Sequence, residues 1–474
     1  MNWLNAEGFE VARQVLQRGI AAVYVIAFLS AVAQFRALLG EHGLLPVPRY
    51  LARSAARGPT LFSWRYSDKL LLVVAWTGAV VAATLVVGLP QLGPPWLPML
   101  VFLLLWGLYM SIVNVGQTFY GFGWETLLLE AGFLAAFLGS NEIAPPVTVL
   151  WLFLWLTFRL EFGAGMIKIR GDRVWRDLTA LYYHHETQPM PNPASRYFHH
   201  LPKPLHKVEV VGNHFAQLVV PFFLFFPQPV GSIAAAIIII TQLWLVVSGN
   251  FAWLNWLTIL AAAAALSDDA LAAVLPGSPD LTPDYAPTPI WFAVVVLAMT
   301  ALMVYLSFRP ARNLVSKRQL MNTSFNRWHL ANAYGAFGSI TRERYEIIVE
   351  GSADGVSWQE YEFKGKPGDP GRMPRQFAPY HLRLDWLMWF LALGAPGDSW
   401  FIPFLRRLLA ADRATLKLLR IDPFDGEQPR QVRALVYHYR YSTRQEKKAT
   451  GLWWIRRPVG MFVAPLKNPA ARSD

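Results

Sequence analysis

Long apolar runs alternate with short polar connections over the first two-thirds of the chain. Nine runs are candidates for membrane spans: residues 19–35, 70–89, 96–113, 124–138, 147–169, 208–226, 230–247, 249–266 and 290–308. A helix needs about 20 residues to cross roughly 30 Å of hydrocarbon, and the fourth run is shorter than that. We therefore predict an α-helical multi-pass membrane domain over residues 1–318, with at least one segment re-entrant or tilted inside protein.

The periodicity changes after the last apolar run. Apolar and polar residues alternate at residues 345–350, 358–364 and 432–441, which predicts three strands, and a GSADG turn joins the first two. Two helices are predicted at residues 381–393 and 401–409. These elements predict a smaller β-rich, sandwich-like soluble domain over residues 319–445. Residues 446–474 contain WWIRRPVGMF, and their aromatic and basic character predicts a tail at the membrane interface.

Composition narrows the function classes. Hydrophobic residues make up 54% of the chain and charged residues only 16%, as expected of a membrane protein. The chain has no cysteine, which excludes disulfides, Cys-ligated metals and thiol nucleophiles. The net charge of +12 comes from basic residues beside the apolar runs, so it predicts contact with anionic membrane lipids rather than with nucleic acid. No nucleotide fingerprint or Ser–His–Asp pattern is found, and we predict no cofactor.

Polar side chains interrupt the fourth, fifth and sixth apolar runs. A charged group at mid-membrane costs about 2.5 to 3.5 kcal/mol, so such groups should face one another or a wet cavity. Glu161 and Lys168 are two helical turns apart, and Glu209 and Asn213 are one turn apart, so each pair shares a helix face. We predict a polar cavity between the fifth and sixth runs, lined by Glu125, Glu130, Arg159, Glu161, Lys168, Glu209, Asn213 and His214.

A charged, aromatic and histidine-rich stretch joins the fifth and sixth runs. We expect residues 170–207 to be a packed, structured loop, because its prolines and aromatics limit the entropy of the unfolded chain. The side chains expected to pin this loop or to bind a partner are Arg170, Asp172, Trp175, Arg176, Asp177, Tyr183, His184, His185, Glu186, Gln188, His199, His200 and His206. Neutral imidazoles are good metal ligands, but no histidine spacing here matches a known zinc motif, and adjacent histidines on regular structure point apart. The sequence therefore predicts no metal site.

The amino-acid sequence of this loop is distinctive. The stretch KIRGDRVWRDLTALYYHHETQPMPNP, residues 168–193, resembles the signature of the lipase maturation factor family. The resemblance implies a multi-pass protein of the endoplasmic reticulum type that brings secreted lipases to an active dimeric state. The predicted partner is therefore a secreted client lipase or another exported protein, and the predicted role is maturation or folding rather than catalysis.

A second, distant resemblance concerns Lys168. A Gly-rich helix end followed by Lys168, Asp172 and Trp175 is similar to the segment that holds the catalytic base lysine in vitamin K-dependent γ-glutamyl carboxylases. It implies an alternative function, a membrane enzyme that acts on a lipid or quinone in the cavity with Lys168 as base and Glu161 beside it. A desolvated lysine can lose its proton near neutral pH. The other interpretation is a structural Lys168–Glu161 pair, and a transporter or lipid-binding module is a third function class.

The loops give conflicting orientations. Basic residues crowd the connections at 49–69, 170–207 and 309–318, whereas the connection at 267–289 contains no Lys or Arg. The positive-inside rule then places the soluble domain in the cytoplasm. The family resemblance implies the opposite, a lumenal or extracytoplasmic domain that meets exported lipases. We predict the extracytoplasmic side, because long loops and folded domains follow the charge rule less strictly.

Overall fold

The structure is a computed structural model in which residues 2–53, 58–274, 284–397 and 399–467 are described. Parts of three sequence expectations lie outside the described residues: positions 54–57 of the first basic connection, positions 275–283 of the acidic connection, and positions 468–474 of the predicted tail.

The N-terminal part of the chain is helical. Its described helices are α1 Glu10–Leu39, α2 Val47–Arg53, α3 Asp68–Val86, α4 Trp96–Val115, α5 Gly123–Ala135, α6 Val147–Arg170, α7 Arg173–Arg176, α8 Leu181–Thr187, α9 Ser195–His199, α10 Lys203–Leu218, α11 Val220–Phe223, α12 Val230–Ser248, α13 Leu254–Ala262, α14 Asp268–Val274 and α15 Ile290–Val315. Short 3-10 helices lie at Asn2–Leu4, Leu61–Ser63, Pro90–Leu92, Gln117–Tyr120 and Ala263–Ala265.

Six of the described helices are long and apolar enough to cross a membrane, namely α1, α3, α4, α6, α12 and α15. The segment Leu254–Ala265 and α14 form a further apolar pair that is bent by 107°, which raises the number to seven if the pair is one span. These helices confirm the predicted α-helical, multi-pass organisation. The nine apolar runs were an approximate count, because the fourth, sixth and eighth runs fold as shorter helices.

Helix α5 shows why a short apolar run can sit among spans. Its 13 residues extend about 20 Å, less than the thickness of the hydrocarbon layer. Every residue of α5 except Thr126 is buried, and the helix packs against α1, α4 and α13. Protein therefore surrounds α5, and its two carboxylates, Glu125 and Glu130, find partners within the protein instead of facing lipid.

The connections between helices separate into two sides. At one end of the bundle, the Asp268 carboxylate accepts hydrogen bonds from the first two backbone N–H groups of α1, both at 2.9 Å. At the other end, Arg407 donates to the carbonyl of His42, and Arg170 donates to the carbonyl of Leu314 at 2.8 Å. The described parts of the three basic connections therefore share one side with the C-terminal domain. The described part of the acidic connection, which begins with Asp268, lies on the opposite side, as the charge pattern predicts.

The C-terminal part adds one antiparallel sheet and short helices. Its described elements are β1 Arg344–Ser352, β2 Gln359–Glu360, α16 Arg383–Ala392, α17 Phe401–Leu409, α18 Arg413–Leu416, β3 Gln431–Tyr441, α19 Arg444–Thr450 and β4 Trp454–Lys467. The strand order is β2-β1-β3-β4. The predicted hairpin joins β1 to β2, and Asp354 at its tip accepts hydrogen bonds from the N–H groups of Val356 and Ser357, both at 2.7 Å.

The sheet differs from the sequence expectation in two ways. Among the described residues it is a single four-stranded sheet rather than two packed sheets, and helices α16 and α17 pack against it in place of a second sheet. Part of the predicted interface tail forms strand β4, which pairs with β3 from Tyr441–Trp454 to Gln431–Lys467. Two arginines and two prolines on β4 suit an edge strand as well as a membrane interface. Contact of this strand with a membrane stays a prediction.

Candidate functional site

A cavity of about 1160 Å³ lies between helices α6, α10, α12 and α13 and the C-terminal part of the chain. Four of the eight predicted cavity residues line it, namely Glu161 and Lys168 from α6 and Glu209 and Asn213 from α10. Most of the wall is apolar, and its aromatic side chains are Phe122, Trp124, Trp175, Phe215, Trp244, Phe251, Tyr334, Phe337, Trp386, Trp389, Phe390 and Trp400. A large aromatic wall with a few polar groups is the usual composition of a site for an apolar ligand.

Lys168 is the buried cation of this cavity wall. It is 6% exposed, and its Nζ donates to Asn213 Oδ1 at 2.8 Å and to Gln217 Oε1 at 2.9 Å. The same Nζ lies 4.7 Å from the centroid of the Trp175 ring, which is a cation–π distance. Two amide oxygens and an aromatic face therefore stabilise the ammonium group.

Glu161 shares the helix face of Lys168 but uses a different partner. It accepts a hydrogen bond from Gln242 Nε2 at 2.6 Å, and Gln242 Oε1 accepts one from Asn255 Nδ2 at 2.6 Å. Among the described residues, no direct Glu161–Lys168 ion pair forms within 4.0 Å. The two-turn spacing places both groups on the cavity wall. Instead of binding each other, Lys168 binds side-chain amides of α10 and Glu161 binds a side-chain amide of α12.

Two of the predicted cavity carboxylates belong to buried ion pairs elsewhere. Glu125 accepts from Arg383 Nη1 at 2.6 Å and from the hydroxyl of Tyr109, and its Oε1 lies 3.4 Å from His381 Nδ1. Both Glu125 and Arg383 are fully buried. This cluster joins α4 and α5 to the start of α16, so it fixes the C-terminal domain on the helices.

The second buried pair involves Glu130 and Arg159. Arg159 donates to Glu130 and also to the carbonyl of Asn332, the latter at 2.7 Å. Glu130 in turn accepts from the backbone N–H of Asn332 at 2.9 Å and from the hydroxyl of Tyr334 at 2.8 Å. These two residues therefore anchor the segment between α15 and β1 and do not line the cavity.

The first half of the loop between α6 and α10 is held by its charged residues. Asp172 caps α7 by accepting from the N–H of Val174, and it pairs with Arg342 at 2.8 Å. The Trp175 indole donates to the carbonyl of Phe337 at 2.8 Å. His214, the eighth predicted cavity residue, lies outside the cavity lining, and its Nε2 is 3.0 Å from the carbonyl of Trp175.

Three residues of the predicted loop set make fewer contacts. Arg176 is exposed, and Asp177 forms an exposed ion pair with Arg173 at 3.1 Å. Tyr183 is half-buried, and the guanidinium of Arg342 lies 5.4 Å from the centroid of its ring. The structure therefore gives Arg176 and Asp177 no part in holding the loop.

The second half of the loop is bound to the sheet. Glu186 accepts from the backbone N–H of Tyr441 at 2.7 Å, and His200 Nε2 lies 3.0 Å from the carbonyl of Ser442. Gln188 donates to Ser195 Oγ at 2.9 Å and to the carbonyl of Ser248. The loop thus packs between strand β3 and the end of α12.

Burial and neighbouring charges shift the titration of several loop residues. Burial lowers the pKa of His184 well below its usual value, and the neighbouring His185 acts in the same direction. Burial lowers the pKa of His199 to about 3. The hydrogen bond from Arg342 lowers the pKa of Asp172 to about 2. At pH 7, His184 and His199 are therefore neutral and Asp172 is charged.

Two arginines that the sequence analysis did not single out hold the loop on the sheet. Arg344 is buried beside Glu346 at 2.6 Å, and it donates to the carbonyls of Gln188 at 2.5 Å and Pro189 at 3.1 Å. Arg196 is buried and donates to the carbonyl of Ser442 at 2.6 Å. For Arg344 a signal existed, because the strand alternation places it on the same face as Glu346. No pattern in the sequence around Arg196 predicts that it holds the loop.

Comparisons with known proteins match both parts of the chain. Residues 11–273 match the lipase maturation factor transmembrane domain, and residues 330–464 match the lipase maturation factor C-terminal domain. No solved structure matches the chain.

The similarity to whole relatives extends over nearly the full length. The chain is 42% identical to human lipase maturation factor 1 over 98% of its own length and 89% of the relative, and 40% identical to the mouse protein over 98% and 88%. It is 29% identical to human lipase maturation factor 2 over 96% and 82% of the two chains. On this evidence, the chain belongs to the lipase maturation factor family.

Proposed function

We propose that this chain is a membrane-bound maturation factor for secreted client proteins, most specifically for secreted lipases. The observation that carries the proposal is the match over 98% of the chain to relatives named lipase maturation factor 1. The geometry supports it, since an aromatic cavity, the loop over residues 171–202 and the C-terminal sheet all adjoin one another on one side of the helices. A client with exposed apolar segments finds a large apolar surface there.

The cavity supports binding of an apolar segment rather than of a compact polar surface. Val208 and Phe215 on α10 and Ile240 on α12 line the cavity and are at the same time more than half exposed, with exposed fractions of 68%, 51% and 66%. The cavity is therefore open along α10 and α12. An unassembled lipase could place an apolar segment there until its own partner covers it, and lipid acyl chains have the same chemistry.

We expect this chain to raise the specific activity of a secreted lipase. A secreted lipase from the same genome, expressed with and without this chain, should be made in similar amounts, but its activity per amount of lipase protein should fall severalfold when the chain is absent. A folding factor changes the fraction of lipase molecules that are active, but it does not change how much lipase is synthesised. Measuring lipase activity and lipase protein in the same secreted sample tests this. Equal specific activity with and without the chain would contradict the proposal.

We further propose that the C-terminal domain lies on the extracytoplasmic or lumenal side, where exported lipases are. The absence of cysteine allows single Cys residues to report on this without background. Ser352 is buried, so it suits labelling poorly, whereas Ser357 at the hairpin tip and Ala286 in the acidic connection are exposed. Because the loop and the sheet lie on the same side of the helices, one labelled Cys in the sheet reports the side of the membrane for both.

We expect Ser357→Cys to react with a membrane-impermeant maleimide added outside intact cells or spheroplasts, and Ala286→Cys to react only after permeabilisation. Labelling after permeabilisation serves as the control for accessibility of each site. The reverse pattern would place the C-terminal domain in the cytoplasm. Direct contact with exported lipases would then be impossible, and the charge rule would have predicted the orientation correctly.

A second candidate function is favoured by one observation, the burial of Lys168 in the cavity wall. A membrane enzyme acting on a lipid or quinone would use its amine as a base, with Glu161 on the same wall. Lys168→Met separates the two functions when it is compared with Lys207→Met, an exposed lysine on α10. A structural Lys168 predicts that lipase activation and melting temperature fall together. Loss of function at an unchanged melting temperature would favour the enzyme.

A further inference from the structure

Three potential metal ligands meet at the edge of the cavity. His185 lies on α8, and His206 and Glu209 lie one turn apart on α10. One ligand atom from each residue lies within 4.8 Å of the others. Glu209 also lines the cavity, so the cluster adjoins the space described above.

The distances within the cluster are not those of hydrogen bonds. His185 Nε2 is 3.8 Å from Glu209 Oε1, and His206 Nδ1 is 4.0 Å from Glu209 Oε2. A hydrogen bond between nitrogen and oxygen is about 2.7 to 3.2 Å long. Neither ring nitrogen of His185, nor Nδ1 of His206, has a hydrogen-bond partner among the described residues.

The side chains that carry these unpartnered nitrogens are buried. His185 and His206 are each only 2% exposed. Buried polar atoms almost always have a partner, and a bound ion is one reason for an exception. His185 Nε2 and His206 Nδ1 border the carboxylate of Glu209, which is the arrangement that a cation would complete.

Neighbouring groups already orient two of the three side chains. His206 Nε2 lies 3.3 Å from the carbonyl of His199, which leaves Nδ1 directed at the cluster. The Trp244 indole donates to Glu209 Oε1 at 2.7 Å and leaves Oε2 available. Metal-bound imidazoles usually donate their second N–H to a carbonyl or carboxylate, and bound carboxylates are usually hydrogen-bonded as well.

We propose that His185, His206 and Glu209 form a binding site for a divalent cation of the zinc class. Two neutral imidazoles and one carboxylate are a ligand set that suits zinc, with bonds of about 2.0 to 2.2 Å. Ligands on a tetrahedral ion are then about 3.3 Å apart. The two nitrogen–oxygen separations of 3.8 and 4.0 Å therefore need to close by less than about 1 Å. The three protein ligands leave a fourth position for water or for an oxygen atom of a molecule in the cavity.

The spacing of the histidines predicted no metal site, because only two of the three proposed ligands are close together in the sequence. His206 and Glu209 are three residues apart on a helix, but His185 precedes His206 by 21 residues. The loop between α8 and α10 closes this distance. The cation would therefore link the loop to helix α10, in addition to any ligand that it binds.

Cobalt binding to the purified, tag-free, full-length protein in detergent tests the proposal. After treatment with a chelator, titration with Co²⁺ should give the visible absorption bands of a tetrahedral site that saturate near one equivalent per chain, and Zn²⁺ should displace them. Glu209→Gln keeps an oxygen for Trp244 and should weaken cobalt binding by more than about tenfold, because even neighbours of metal ligands contribute about that much. His185→Gln should remove the bands.

The control is His42→Gln, because His42 is exposed and lies in the connection after α1. It should bind cobalt like the unchanged protein. Absence of tetrahedral bands in the unchanged protein would overturn the proposal. Cobalt binding that is the same in Glu209→Gln, with the melting temperature showing that variant to be folded, would also overturn it.

Discussion

Replacing Arg383 by methionine should lower the melting temperature of the detergent-solubilised protein far more than replacing an exposed arginine. Arg383 and Glu125 are both fully buried and 2.6 Å apart. Removing one partner of a buried pair costs about 3 to 5 kcal/mol, because the other charge stays buried and unpaired. Arg383 also donates to the carbonyl of Phe119 in the 3-10 helix between α4 and α5, so the substitution removes a second hydrogen bond between the C-terminal domain and the N-terminal helices.

Two controls show whether the unpaired charge is the cause. Arg173→Met removes an ion pair in which the arginine is 82% exposed, and such pairs contribute little to stability. The double variant Glu125→Gln with Arg383→Met removes both charges of this pair and should recover part of the loss. Thermal unfolding followed by tryptophan fluorescence gives all three values. An Arg383→Met protein as stable as Arg173→Met would mean that this pair does not hold the domain.

Replacing Arg344 by methionine should release the loop from the sheet. Arg344 supplies donors to the carbonyls of Gln188 and Pro189, and it shares Glu346 with Lys366, whose Nζ is 2.9 Å from the carboxylate. All three charged groups of this cluster are at most 1% exposed. The substitution leaves the loop carbonyls without these donors, which costs about 1 to 3 kcal/mol for each buried group.

Limited trypsin digestion measures this release. Arg196 is 3% exposed and held by the carbonyl of Ser442, so we expect the unchanged protein to resist cleavage there. In Arg344→Met, cleavage at Arg196 should accelerate by at least about tenfold, since 1.4 kcal/mol of local opening free energy corresponds to tenfold in population. Arg457→Met, an exposed position on β4, is the matched control. Rapid cleavage at Arg196 in the unchanged protein would contradict the packed loop.

Much of the helical organisation was predictable from local pattern. The existence of the long helices follows from the length of the apolar runs, because a span must satisfy its own backbone hydrogen bonds. The two-turn spacing of Glu161 and Lys168 placed both on one wall for the same local reason. The hairpin from β1 to β2 was likewise visible in the alternation of residues and in the GSADG turn.

The partners of the buried charges were not predictable. Glu125 and Arg383 are 258 residues apart, and Glu130 and Asn332 are 202 residues apart. The cost of burial requires that each carboxylate has a partner, but it does not choose among the arginines of the chain. Of the eight residues predicted for one cavity, four line it, and the other four lie in two buried ion pairs and beside Trp175.

By itself, the sequence determined the membrane-spanning character of this protein, the position of its loop and its family signature. These properties depend on residues close together in the chain, where helix and strand periods act directly. Only the tertiary structure decided that β4 completes the sheet, that Arg344 and Arg196 hold the loop, and that His185 meets His206 and Glu209. Each of these contacts joins distant segments, and packing of the whole chain selects them because many local alternatives have similar energies.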